Sequence, residues 1–203
     1  ISVTLTVLAV LSIFVIPTYA TGYGSTINHI TLYKSSGMSG HNYWLGALLW
    51  LKENTDPNAI VISWWDYGYL IQYYANRTTV VDPGNVYEWR NIAVARFFMS
   101  NSEETALSIL NQSFGLGGKE VYVLVSADEV PKSRAIAEIA GAEKPPFKVT
   151  LELTSEGWKE RLYVENPDAL LTKFILDLSG YLVGFNHFEK VYSDFNCIVI
   201  YRI

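Results

Sequence analysis

The chain opens on Ile1 to Ile16, apolar except at Ser2, Thr4, Thr6 and Ser12, with Pro17 next. A membrane-crossing helix takes about 20 apolar residues. Residues 1–18 are therefore expected to be the outer end of a last transmembrane helix, with Tyr19 and Tyr23 as interfacial aromatics. A signal peptide and a buried core helix are the other readings, the first lacking the basic leading region it needs. Residues 19–40, rich in Gly, Ser, Thr and Tyr, read as a linker, and 41–203 as one globular domain.

Within that domain apolar runs alternate in type. Asn42 is placed to cap a helix reaching about Asn54, with Trp44, Leu45, Leu48, Leu49 and Leu51 as a wide apolar face. Asp56-Pro57 breaks it, and Ala59–Ser63 is a short apolar strand. Trp64–Gly68 turns, Tyr69–Ala75 begins a helix, and Thr78–Val81 is a second strand closed by Asp82-Pro83-Gly84-Asn85. Helices are predicted over 86–99 and 103–112, the second capped by Asn101 or Ser102 and ended by Gly115. Val121–Ser126 is a third apolar strand, and Pro131 opens a helix that Gly141 ends. Short apolar strands between helices predict an α/β domain with a mixed, mostly parallel sheet flanked by helices. The tail reads as strands at 147–153 and 162–164, a helix over 168–178, and a hairpin of 191–192 with 198–201 around Asp194-Phe195-Asn196.

Composition narrows the function. Charged residues make up 17% and the net charge is −5 with no basic run, so nucleic acid is not an expected partner. The one cysteine, Cys197, stands beside Ile198, Val199 and Ile200 and reads as a buried strand thiol. His29, His41 and His187 lie far apart, without the ligand spacing of a zinc site. Nucleophile-elbow, phosphate-loop and dinucleotide fingerprints are missing from the sequence.

Trp64-Trp65-Asp66-Tyr67-Gly68 follows directly on the first strand. Ligands of α/β sheets bind beyond the carboxyl ends of strands. An indole N–H only donates and an ionised carboxylate only accepts, so together they complement a hydroxyl. The same residues also read as a strand-end aromatic cluster in which Asp66 merely caps the next helix. The pentapeptide resembles the signature of oligosaccharyltransferase catalytic subunits of the archaeal AglB type and their bacterial and eukaryotic relatives. The resemblance extends to the helix around Trp44, the strand leading in, and the turn at 82–85, and covers most of residues 1–140.

That resemblance implies a role for the chain as C-terminal globular domain of such an enzyme. Trp64, Trp65 and Asp66 would bind the hydroxyl of the Ser or Thr two residues after the acceptor Asn, with Tyr67 and Gly68 completing the motif. A second family motif, Asp-x-x-Lys-x-x-x-Met/Ile, is matched by Lys132 and Ile136, with either Asp128 or Glu129 as its acid: Glu129 has the spacing and Asp128 the side chain. Lys132 and Ile136 also read as a solvated helix-start charge and a core residue. The implied full-length enzyme transfers a lipid-linked oligosaccharide to Asn with Mn2+ or Mg2+. Its metal ligands and catalytic groups would lie in loops between transmembrane helices outside this chain, which would face the cell exterior or lumen and catalyse nothing alone. An extracytoplasmic carbohydrate-binding or interaction domain of a membrane protein is the competing reading. Asn76-Arg77-Thr78 and Asn111-Gln112-Ser113 are themselves acceptor sequons.

Overall fold

The computed structural model describes residues 40–155, 157–194 and 197–203. The expected membrane-helix end and nearly all of the linker, and the turn residues Phe195 and Asn196, lie outside the described residues. No described helix is long and apolar enough to cross a membrane.

Helix α1 spans Gly40–Asn54. It starts ahead of Asn42, which therefore lies inside the helix and not at its cap. β1 (Ile60–Ile62) follows, then a helical segment made of a 3-10 turn (Trp65–Tyr67), an α turn (Gly68–Leu70) and a π turn (Ile71–Ala75). β2 (Thr78–Thr79), α2 (Glu88–Met99), α3 (Glu103–Phe114), β3 (Val121–Ser126) and α4 (Glu129–Ala140) come next. Ser102 caps α3 by accepting the Thr105 N–H, and Gly115 ends it at a φ of 59° that costs a glycine nothing.

The main sheet has the order β2-β1-β3-β7-β6, where β6 is Glu189–Asp194 and β7 Ile198–Arg202. β1 runs parallel to β2 and β3, while β7 runs antiparallel to both β3 and β6. The expected closing hairpin thus forms, and it extends the parallel strands as an antiparallel wing. The other predicted tail strands pair only with each other, as β4 (Phe147–Thr154) and β5 (Gly157–Val164), in a separate two-stranded sheet.

All six residues of β3 are buried, as a central strand covered on both faces should be. Helix α5 (Leu170–Leu178) packs an apolar face on the antiparallel side. There Phe174 sits 4.7 Å from the Tyr201 ring and 5.2 Å from Phe188 and Phe185. Each such buried aromatic contributes roughly 1.5–3 kcal/mol. Cys197 is buried just before β7, and burial pushes its thiol up to about 11.

Candidate functional site

The chain leaves the sheet at the carboxyl end of β1 and folds back on itself at once. Gly68 makes that possible. A Cβ there would lie 2.5 Å from the Asp82 Cα and from the Val81 carbonyl oxygen. No side chain fits, so the turn packs backbone to backbone against the segment leaving β2. Trp64 is buried at 2% exposure and floors the turn, while Trp65 and Asp66 are half-buried above it. The two indole rings are 6.4 Å apart. Tyr67 is buried against Trp44 of α1, ring to ring at 4.5 Å.

Helix α4 supplies the other side. Ser126-Ala127-Asp128-Glu129 forms a turn bonded in the manner of a capping box, between the end of β3 and the start of α4. The Asp128 N–H donates to Ser126 Oγ at 3.0 Å, and Glu129 Oε2 accepts the Ser126 N–H at 2.8 Å. Helix α4 begins at Glu129, ahead of Pro131, with Asp128 as its cap residue, and its first turn faces the aromatic motif. Lys132 Nζ lies 2.6 Å from Asp66 Oδ2, donates to the Tyr67 hydroxyl at 2.9 Å, and stands 4.5 Å from the Tyr67 ring centre. Asp66 and Lys132 are each about a quarter exposed, so water screens much of their attraction and the pair adds at most about 1 kcal/mol. Its consequence is positional: one ammonium fixes a carboxylate and a phenol at once.

Burial, then the nearby Glu129 and Asp128 carboxylates, hold the Tyr67 phenol well above its ordinary range, so it remains a neutral hydroxyl. Glu129 is fully buried, and desolvation raises its carboxyl to about 8 against the pull of Lys132. Its Oε1 has no hydrogen-bond partner. Asp128 is buried too, at 3% exposure.

The structure thus brings Trp64, Trp65, Asp66, Tyr67 and Lys132 together, with Gly68 as the hinge that lets them meet. Ile136, one turn beyond Lys132, is 0% exposed and belongs to the core. Glu129 has the spacing and closes the turn at 126–129, and both acids lie close enough to act on Tyr67. Sequence reading missed two features. Trp44 as the platform for Tyr67 had no local signal, whereas the Ser-x-x-Glu spacing before an apolar run was visible. Among the described residues no three His, Cys, Asp or Glu side chains gather to hold a metal ion.

Residues 57–128 match the STT3/PglB/AglB core domain. Over 104 residues the chain is 38% identical to the dolichyl-diphosphooligosaccharide–protein glycosyltransferase subunit stt-3 of Caenorhabditis elegans, which takes in 47% of this chain and 13% of the worm protein. The chain therefore spans only a small part of that relative. The fold is similar to the C-terminal globular domain of an Archaeoglobus fulgidus oligosaccharyltransferase, with a TM-score of 0.53, 24% identity, and coverage of 79% of this chain and 96% of that one. It is also similar to an A. fulgidus oligosaccharyltransferase tethered to an acceptor peptide containing an NVT sequon, with a TM-score of 0.54, 17% identity, and coverage of 74% and 23%. The Trp-Trp-Asp-Tyr-Gly turn lies inside the segment that matches the STT3/PglB/AglB core domain, so the chain resembles oligosaccharyltransferase catalytic subunits over that segment and shares the fold of their C-terminal globular domains.

Proposed function

We propose that this domain recognises the Asn-x-Ser/Thr sequon of an acceptor polypeptide. The observation that carries the reading is the bond of Lys132 to both Asp66 and Tyr67, which joins the two motifs into one partly exposed polar site. Lys132 engages Oδ2 of Asp66, and no protein donor among the described residues takes Oδ1. That oxygen accepts the Ser or Thr hydroxyl proton, and the indole N–H groups of Trp64 and Trp65 donate to the hydroxyl oxygen. Gly68 sets the turn, Tyr67 and Lys132 keep the carboxylate aimed, and Ile136 seats the Lys132 turn from beneath.

The full-length protein, on this reading, is a membrane glycosyltransferase whose catalytic groups and divalent metal site, for Mn2+ or Mg2+, lie outside this chain. It takes its oligosaccharide from a lipid carrier and works on the extracytoplasmic side. Trp64 argues against a carbohydrate-binding module, because a ring at 2% exposure has no open face for a sugar.

In the full-length enzyme, Asp66→Ala should leave the circular dichroism unchanged and cut kcat/KM on an Asn-x-Thr peptide. Leaving polar partners unpaired costs about 1–3 kcal/mol, or roughly 5- to 150-fold. Wild-type transfer by a folded Asp66→Ala enzyme would refute the assignment.

A further inference from the structure

The fold treats the chain's own two sequons differently. Asn76 is exposed and closes the π turn at φ 52°, a left-handed position that asparagine tolerates better than most side chains. Thr78 is also exposed and begins β2, the outer strand of the sheet. Arg77 between them points inward. It is 5% exposed and donates to the Ala75, Asn76, Lys52 and Thr55 carbonyls and to the Thr55 hydroxyl. The middle residue anchors the backbone while the two that define a sequon stay in solvent.

Asn111 is exposed as well, but it sits in the last turn of α3, where its carbonyl accepts the Gly115 N–H at 2.9 Å. Residues i and i+2 of a helix do not face one another, so the Asn111 amide and the Ser113 hydroxyl diverge. An enzyme that must hold both side chains would have to unwind that turn. The position of Asn76 also suits a bulky substituent. It precedes the amino end of β2, whereas the Trp64–Gly68 turn leaves the carboxyl end of the parallel strand β1. The two lie at opposite ends of neighbouring parallel strands, and a glycan on one leaves the other open.

We propose that Asn76 is an N-glycan attachment site of this protein and that Asn111 is not. The Asn76 side-chain nitrogen forms a bond to the anomeric carbon of an oligosaccharide carried on a lipid phosphate. The sugar–oxygen bond to phosphate breaks, the lipid phosphate departs with the electron pair, and the amide loses one proton. The proposal rests on the preceding reading only for its location outside the cytoplasm.

The test is mass spectrometry of peptides from the full-length protein, purified from cells that carry out N-glycosylation. Glycan should be found on the Asn76 peptide, absent from the Asn111 peptide, and lost in Thr78→Val, which keeps the branched shape at the strand edge and leaves Asn76 itself in place. A bare Asn76, or glycan on Asn111, would overturn the proposal. Peptide transfer by the same preparation is scored separately. Active enzyme with bare Asn76 sinks this inference alone, and glycosylated Asn76 on enzyme that ignores Asn-x-Thr peptides sinks the sequon-recognition reading alone.

Discussion

Gly68 and Glu129 show how single residues shape the site through close packing and burial. Since a Cβ at Gly68 would press on backbone atoms at 2.5 Å, Gly68→Ala forces the turn off the 81–82 segment. Overpacking of this kind costs about 1–3 kcal/mol, read as a lower urea midpoint, and activity should fall beyond the loss of folded protein because Asp66 moves with the turn. An unchanged midpoint would mean the turn is not held by this contact. Glu129 carries a pH dependence. Its carboxyl titrates near 8 in the folded chain, above the ordinary carboxylate range it has when unfolded. Between those values the folded state holds the extra proton, so stability declines as pH rises from about 5 to 8 and levels off beyond. Glu129→Gln stays neutral throughout, so its melting temperature should decline less than that of the wild type across this window. Parallel declines would show that Glu129 is not the group responsible.

At the scale of elements, α1 and α4 are the two helices that frame the site, and each is held at one end by a side chain, Arg77 donating to the end of α1 and Glu129 accepting at the start of α4. The carboxyl end of α1 is closed by Arg77, whose guanidinium reaches the Lys52 and Thr55 carbonyls at 2.8 and 2.7 Å. Trp44 on the same helix supports Tyr67, so fraying of α1 should reach the site. Arg77→Met removes every donor and strands these carbonyls, for a loss on the order of 3 kcal/mol in chemical denaturation. Arg77→Lys should recover only part of it, because a single ammonium cannot span the fork of acceptors. Full recovery by lysine would reduce the role of Arg77 to its charge.

For the whole molecule, the tail completes the domain. β7 inserts between β3 and β6, and Tyr201 at its end joins the aromatic cluster around Phe174 and donates to the Asp177 carboxylate. The segment 57–128 that matches the family core therefore leans on residues from 170 onward. On the proposed reading this chain carries the acceptor site, and the metal ligands of the full-length enzyme lie elsewhere. Supplied with lipid-linked donor and Mn2+ or Mg2+, it should bind an Asn-x-Thr peptide and form no glycopeptide. Glycopeptide made by this chain alone would place the catalytic groups within it.

Read alone, the sequence was enough for the local structure. The helices at 88–99, 103–114 and 170–178 and the strands at 60–62 and 121–126 all follow from the spacing of apolar residues and from caps at Ser102, Gly115 and Gly141, because those signals act within a few residues. The Trp64–Gly68 motif was equally legible. Which distant pieces meet was settled by long-range packing. An apolar run such as Ile198–Tyr201 suits a parallel or an antiparallel neighbour equally well, so its place beside β3 had to come from competition among whole strands. The contact of Lys132 with Tyr67 spans 65 residues and depends on that sheet order and on where the turn at 126–129 starts α4. Ile136 is a core residue for the same reason: its helix face is set by what α4 packs against, and helical periodicity alone does not say which partner that is.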